Sequence, residues 1–266
     1  MIDPTTEEKI GRAAEMIAQA KRIVVFTGAG VSTESGIPDF RSPGGLWTKF
    51  DPEDFTIDKF LSDPETRRKQ WRFLLSSDLL KDADPNAAHR AIAELETLGR
   101  LDCVITQNID NLHQKAGNHS DKVYELHGNM NRIHCLECDR RYPLEEVLRE
   151  GEASGDPPSC RCCGGILKPD VIFFGEPLPE ETLREATWHA NRCDLMIVVG
   201  SSLVVYPAAY LPLYAKQAGA KLVVINLTPT PVDRTADVVI RASAGETMER
   251  ILTGVKLLAQ RAGLPC

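Results

Sequence analysis

Residues 23–42, IVVFTGAGVSTESGIPDFRS, constrain the fold more than any other stretch of the chain. Ile23, Val24, Val25 and Phe26 form a short, β-branched apolar run, which predicts a buried strand of a parallel sheet. Thr27-Gly28-Ala29-Gly30 follows at once. Small residues at a strand end let the backbone approach a ligand closely, and glycine permits the tight turn. Ser32, Thr33, Glu34 and Ser35 then supply polar groups suited to a helix N-terminus, where backbone N–H groups and the helix dipole favour a pyrophosphate. The third glycine of the dinucleotide fingerprint is missing, with Thr33 in its place. On this loose pattern a nucleotide site and a glycine-rich turn without a ligand fit equally well. Pro38 removes a backbone donor and restricts Ile37, so a loop follows that carries Asp39, Phe40 and Arg41. Such a loop could close over a nucleotide, with Arg41 on phosphate and Phe40 excluding water.

Taken whole, residues 28–41, GAGVSTESGIPDFR, resemble the signature of the sirtuins, the NAD-dependent protein-lysine deacylases. The remaining sequence is read on its own terms beside that resemblance. At 266 residues the chain suits one large domain or a large and a small one. A net charge of −7 argues against broad nucleic-acid binding. Residues 1–16 lack the apolar core of a signal peptide and carry acids early, so a cytoplasmic protein is expected. Residues 195–215 hold no charge and approach the length of a membrane span. Gly200-Ser201-Ser202, Pro207 and Pro212 interrupt them, which predicts a strand, a turn and a helix start instead.

Residues 6–20 read as a helix, capped by Thr6. Residues 44–81 scatter Trp47, Phe50, Phe55, Ile57, Phe60 and Leu61 among charges, followed by Phe73, Leu74, Leu75, Leu79 and Leu80. Short helices and loops are expected there, with the aromatics as core. A dehydrogenase would place a strand here, ending in an acid for ribose. Asp51 and Glu53 flank Pro52 and follow no apolar run, which counts against hydride transfer. Residues 86–98 look helical, and His89 within them is assigned no role. Cys103-Val104-Ile105-Thr106 predicts a second strand, ending in Gln107-Asn108-Ile109-Asp110. Ligands bind outside the carboxyl ends of strands in open α/β sheets, and amides and a carboxylate suit ribose and a carboxamide. His127, followed by Gly128, has the side chain whose ordinary pKa suits a general base. Histidines 113, 119, 134 and 189 are expected on surfaces or in packing.

Five of the eight cysteines fall between positions 135 and 163. Cys135 and Cys138 form one CxxC knuckle, and Cys160 with Cys163 form another twenty-one residues on. Two such knuckles predict a four-thiolate zinc ribbon. Cys163 is preferred to Cys162 because it keeps the spacing and precedes Gly164-Gly165, and His134 is an outside candidate. Glu145, Glu146, Glu150, Glu152 and Asp156 dominate the interval, which does not suit a nucleic-acid finger. Val171, Ile172, Phe173 and Phe174 then predict a strand that ends at Gly175 and could receive a peptide by strand addition. Residues 195–199, 221–225 and 238–240 complete at least five strands alternating with helices, closed by a helix over 245–260.

The expected fold is therefore α/β: a Rossmann-like parallel sheet with an inserted small domain of zinc ribbon and helical segment. Its division runs 1–43, 82–130 and 170–266 for the sheet domain, with 44–81 and 131–169 inserted. TQNID, the His127-Gly128 pair, the cysteine knuckles, KPDVIFFGE and the 203–207 segment recur in sirtuin order. The resemblance spans roughly residues 20–250.

The resemblance implies NAD as co-substrate, a structural zinc ion and an acylated lysine as partner, with no membrane and no nucleic acid. In that family the acyl oxygen attacks the ribose and nicotinamide leaves. Histidine then acts as base on the ribose hydroxyls, and the products are free lysine, nicotinamide and O-acyl-ADP-ribose. By position, His127 is the base and Asn108 orients ribose and water. Asp110 takes the carboxamide, Gln107 the ribose, and Ile109 stands among them. Gly28, Ala29, Gly30, Thr33, Asp39, Phe40 and Arg41 hold phosphate and ribose. Gly200, Ser201, Ser202, Asn226, Leu227, Thr228 and Ala244 take the adenosine end. Val171, Phe173, Phe174, Gly175 and Val204 receive substrate, and Cys135, Cys138, Cys160 and Cys163 hold zinc. Trp71 and Leu74 stand where acid-reading sirtuins carry a tyrosine and an arginine, which implies an uncharged acyl group. A protein ADP-ribosyltransferase with the same NAD site, and a non-catalytic NAD or peptide binder, are the rival classes.

Overall fold

The computed structural model describes residues 4–76, 83–154 and 157–261. Leu79, Leu80, Asp156 and Cys266 lie outside these residues, as do the side chains of Phe73, Leu74, Leu75, Glu150 and Glu152. Helix α1 (Pro4–Gln19) precedes strand β1 (Ile23–Thr27). Helices α2 (Ile57–Ser62), α3 (Pro64–Ser76) and α4 (Ala87–Thr97) lead to β2 (Leu101–Thr106), α5 (Leu112–Ala116) and β3 (Val123–Glu125). β4 (Gly128–Cys135), β5 (Arg141–Pro143), α6 (Leu144–Ser154) and β6 (Leu167–Val171) form a separate unit. The chain ends with α7 (Glu180–Ala190), β7 (Leu195–Val199), α8 (Leu211–Gln217), β8 (Lys221–Ile225), β9 (Val238–Ile240) and α9 (Ala244–Arg261).

Six strands pair in the order β3-β2-β1-β7-β8-β9, all parallel. β1 shows why its sequence is apolar without a break. Ile23 and Val25 pack on one face with Ile17 of α1, Ile92 of α4 and Ile251 of α9. Val24 and Phe26 pack on the other with Ala186 of α7 and Leu211 of α8. Both faces are buried, so alternation disappears from the sequence. The chain leaves β1 toward β2 on one side and returns beside it as β7, which makes β1 the switch point of the sheet. A crevice opens beyond the carboxyl ends of strands at such a point. The long apolar run at 195–215 resolves into β7, a turn and α8. Among the described residues no helix is long and apolar enough to cross a membrane.

The second sheet has the order β5-β4-β6 and is antiparallel. Two local expectations fail. No α-helix follows the Gly28–Gly30 turn; two 3-10 turns, Ala29–Val31 and Thr33–Ser35, end at Gly36 with φ 85°. Pro38 and the glycine leave too few residues for an α-helical turn to propagate. The strand expected over 171–174 is instead Leu167–Val171. Beyond Val171 the backbone leaves the ladder: Ile172 N–H donates to His127 O and Phe174 N–H to Phe55 O, both at 3.0 Å.

Candidate functional site

Three loops meet beyond β1, β2 and β7. Gly28 N–H donates to Val199 O at 3.2 Å, and Gly30 N–H to Gly200 O at 2.8 Å. A Cβ on Gly28 would stand 2.9 Å from Gly200 O, and one on Gly30 2.8 Å from it. A Cβ on Gly200, at φ +63°, would meet Val31 N at 2.1 Å. These glycines are therefore required by two chain segments in contact, a constraint stronger than the ligand approach inferred from sequence.

Behind this turn lies a buried polar network. Ser32 Oγ donates to Asp110 Oδ2 at 2.7 Å, and Asn108 Nδ2 donates to Ser32 Oγ at 3.0 Å and Asp110 Oδ2 at 3.3 Å. Leu112 N–H donates to Asp110 Oδ1 at 3.0 Å. Ser32 is 1% exposed, and Asn108 and Asp110 are 8% exposed. Asn108 N–H is fixed in turn by Thr106 Oγ1, to which Thr27 Oγ1 donates. Thr27 also meets His113 Nε2 at 2.9 Å. His113 packs edge-on against His89, with ring centroids 5.0 Å apart, and His89 Nδ1 accepts from Asn86 N–H within the α4 capping box. Both rings are buried, and burial pushes both below the ordinary imidazole range, His89 to about 4. Ser32, Thr27, His89 and His113 belong to the site's support and escaped sequence reasoning; regular spacing does not mark such residues.

Gln107 Nε2 donates to Ser201 Oγ at 2.7 Å, closing β2's loop onto β7's. The Gln107 main-chain carbonyl lies 3.0 Å from His127 Nδ1. A carbonyl only accepts, so Nδ1 carries the proton and Nε2 presents its lone pair. His127 sits in the link between β3 and β4, half-buried. Burial lowers its pKa, and the bond to the Gln107 carbonyl partly offsets this. The imidazole is thus neutral and able to take a proton near pH 7.

Other expected residues play a local part in this structure. Asp39 Oδ1 accepts from the N–H groups of Arg41 and Ser42, at 2.9 and 2.7 Å, and so shapes the loop that exposes Arg41. Phe40 packs on Trp47 in a tilted pair with ring centroids 5.1 Å apart, and Trp47 also meets Phe55 and Phe174 at 5.5 and 6.0 Å. Ala29 is half-buried and Thr33 exposed, with Thr33 Oγ1 on Gly30 O. Met130 N–H donates to Ile109 O, tying the β2 loop to β4. At the far end Asn226 Nδ2 donates to Thr228 O at 2.8 Å, Leu227 is exposed and Ser202 half-buried. Ala244 begins α9, where Glu34 Oε2 accepts from Gly245 N–H.

Cys135, Cys138, Cys160 and Cys163 bring their Sγ atoms within 4.8 Å of one another. Cys135 and Cys163 are 3.5 Å apart, and Cys138 and Cys160 3.7 Å. Zinc at about 2.3 Å from four thiolates needs sulfurs about 3.8 Å apart, so the four fit the ion. Cys162 points to solvent outside this set. Cys103 and Cys193 are buried in the large core, where burial raises both thiols and keeps them unreactive.

Phe173 is 8% exposed against Phe60, Val171 also lies in that cluster, and Phe174 and Val204 are exposed. Trp71 is 1% exposed, within the small-sheet core of Ile133, Tyr142 and Leu167.

The Sir2 family profile matches residues 28–207. NAD-dependent protein deacylase 2 of Archaeoglobus fulgidus is 50% identical over 254 residues, covering 95% of this chain and 98% of its own. A solved Sir2 enzyme superimposes with a TM-score of 0.86 at 49% identity, covering 95% of this chain and 99% of its own. A second, holding a deacetylated p53 peptide and 3'-O-acetyl ADP ribose, gives a TM-score of 0.84 at 40% identity over 96% of this chain and 99% of its own. A family profile that matches most of the chain, and a relative half identical over nearly its whole length, show that the chain belongs to the Sir2 family.

Proposed function

We propose that the chain is an NAD-dependent protein-lysine deacylase acting on acetyl or another uncharged acyl group. Free lysine, nicotinamide and O-acetyl-ADP-ribose are the products. The observation that carries this reading is His127, held by Nδ1 on the carbonyl of Gln107, the residue before Asn108 of the Asn108–Ser32–Asp110 network, with no hydrogen bond to Nε2 among the described residues. When bound, NAD supplies an electrophilic ribose carbon with nicotinamide as leaving group. His127 takes a proton at Nε2 from a ribose hydroxyl. Asn108 orients ribose and water, Asp110 accepts from the carboxamide, and Gln107 meets the ribose. Ala29, Thr33, Phe40 and Arg41 hold phosphate and ribose, with Gly28 and Gly30 shaping that turn and Asp39 its loop. Gly200, Ser201, Ser202, Asn226, Leu227, Thr228 and Ala244 receive the adenosine end.

The substrate lysine enters beside Val171, Phe173, Phe174, Gly175 and Val204. Acyl neutrality is supported by the arginines of α3. Arg67 donates to Phe60 O, and Arg68 and Arg72 pair with Glu65, so they are engaged on their own element and its neighbour. Zinc on Cys135, Cys138, Cys160 and Cys163 would be structural, since four protein ligands leave no open position. We assign 1–43, 82–130 and 170–266 to the sheet domain and 44–81 and 131–169 to the small one. The cytoplasm suits a chain with four metal-ready thiolates and buried free thiols.

The test is conversion of an acetyl-lysine peptide with labelled NAD, wild type beside His127→Ala, with products identified by mass. Nicotinamide and O-acetyl-ADP-ribose from wild type, reduced about 10²- to 10⁴-fold in the variant, are expected. Label on protein instead of on acetyl-ADP-ribose overturns the reading in favour of ADP-ribosyl transfer. Strong turnover of succinyl-lysine with weak turnover of acetyl-lysine overturns the acyl assignment.

A further inference from the structure

Lys168 is 1% exposed, which is unusual for a lysine. Its Nζ lies 3.0 Å from Glu176 Oε2 and donates to Val171 O at 2.5 Å and Pro169 O at 3.3 Å. It also stands 4.4 Å from the centroid of the Phe173 ring. An ammonium has three protons, and a buried one is tolerated only when they are met. Here three acceptors meet them. Burial pushes Lys168 below its ordinary pKa, and Glu176 opposes that shift.

The carboxylate partner does a second thing. Glu176 Oε2 accepts the Phe173 N–H at 2.6 Å, and Glu176 N–H donates to Phe173 O at 3.0 Å. Both backbone groups of Phe173 are thereby closed onto Glu176. Phe174 is closed in the same way, through Phe55 O and Ile57 N–H. Gly175, at φ 91° and exposed, is left at the tip of the turn, and its peptide groups make no backbone hydrogen bond among the described residues. An incoming strand would find open groups there, just after two fixed aromatic residues.

We propose that Lys168 and Glu176 are positioning residues for the acylated peptide. They form a buried ammonium–carboxylate latch that holds the turn from Phe173 to Gly175 ready for the substrate strand. This rests on the deacylase reading above. Without the ammonium, Glu176 keeps only the neutral Phe173 N–H as inward partner, with no opposite charge to compensate its desolvation. It turns to water and releases Phe173 N–H. The NAD-side residues Asn108, Asp110 and Ser32 make none of the latch's hydrogen bonds, so the loss falls on the peptide alone.

The test compares wild type, Lys168→Met, Glu176→Gln and the double variant for KM of an acetyl-lysine peptide, KM of NAD, kcat, zinc content and Tm. Lys168→Met raises peptide KM about tenfold, with NAD KM and kcat at saturating peptide within about twofold. Glu176→Gln keeps an acceptor for Phe173 N–H and shows a smaller rise, about threefold. The double variant is no worse than Lys168→Met, because the two act as one unit. An unchanged peptide KM in Lys168→Met overturns the latch, as does additivity in the double variant. So does a parallel loss in peptide KM, NAD KM, zinc and Tm, which marks a merely structural pair. If Lys168→Met does not fold, Glu176→Gln carries the test alone: peptide KM rises about threefold with NAD KM, zinc content and Tm unchanged, and an unchanged peptide KM overturns the latch. Wild type that releases no free lysine removes the deacylase reading and the latch with it; active wild type with unaltered variants removes the latch only.

Discussion

The two sheets are held together in opposite ways. In the six-stranded sheet, Val25, Phe26, Ile105, Ile197 and Val224 are fully buried between helical layers on both faces. In the three-stranded sheet the core is Trp71, Ile133, Tyr142, Val147 and Leu167, and two of its buried members are the cysteines Cys135 and Cys160. A core this small does not offset the chain entropy of ordering the module, which is why small units rely on metals. The difference teaches where each sheet is vulnerable: the large one to a change in backbone packing, the small one to loss of an ion.

Removing the ion has the largest expected effect. A strong chelator, or Cys163→Ser, should abolish deacylation and open the amides of β4, β5 and β6 to hydrogen exchange, while β1, β2, β7 and β8 stay protected. Structural zinc contributes roughly 10–16 kcal/mol in small finger peptides, far above the reserve of such a core. Cys162→Ser should change neither zinc content nor activity. Equal exchange in both sheets after chelation would break the comparison.

The next effect belongs to the large sheet. Gly200→Ala places a methyl 2.1 Å from Val31 N at a left-handed φ of +63°. A cost of roughly 3 kcal/mol or more is expected, read as a lowered midpoint in denaturant at unchanged zinc content. Gly36→Ala shares the positive φ but has open space around it, so it should cost only about 1 kcal/mol. Equal costs for the two would show that strain alone, and not the contact between the β1 and β7 loops, governs the site.

The sequence made these two regions legible to different degrees. Apolar runs mark β1, β2, β7, β8 and β9 because both faces of a parallel sheet are buried. The knuckle spacing marks the thiolates because tetrahedral coordination demands it. Residues whose roles come from tertiary partners stayed hidden. Ser32 reads as a helix-start hydroxyl, yet it donates to a carboxylate 78 positions away. Lys168 stands in the sequence only as the first residue of KPDVIFFGE, and only the fold of the turn back to Glu176 encloses it. Trp71, placed from the resemblance near the acyl group, packs on the zinc module, because a loose alignment through helices says nothing about which face turns inward.

A smaller effect follows from the buried histidines on the large-sheet side. Burial holds His89 at about 4 and His113 well below its ordinary range. In the unfolded chain both titrate near 6.5. Between about 6.5 and 4 the unfolded state therefore binds more protons. Their contribution to stability is full above about 6.5 and is lost as pH falls toward 4. Thermal midpoints at fixed ionic strength should decline through that window. A flat profile there would show that both rings take up protons in the folded protein as readily as in the unfolded chain, so that Nε2 of His89 and Nδ1 of His113, unpartnered among the described residues, are open to protonation.

The smallest effect tests the seam between the sheets. His127 stands after β3 of the large sheet and before β4 of the small one. Its Nδ1 is anchored on Gln107 of the large sheet, while its carbonyl receives Ile172 N–H just past β6. Its lowered pKa comes chiefly from burial, with the Gln107 carbonyl pulling the other way. A base works when unprotonated, so the acidic limb of kcat/KM should lie below about 6.5, with activity level from there toward neutrality. Partial zinc depletion loosens β4 but leaves the Gln107 anchor in place. The rate of a partly depleted sample should then fall at every pH while the limb keeps its position. A limb that moves up toward 6.5 as zinc is withdrawn would mean that the small sheet supplies the burial around His127, and that the two regions are coupled at the proposed base.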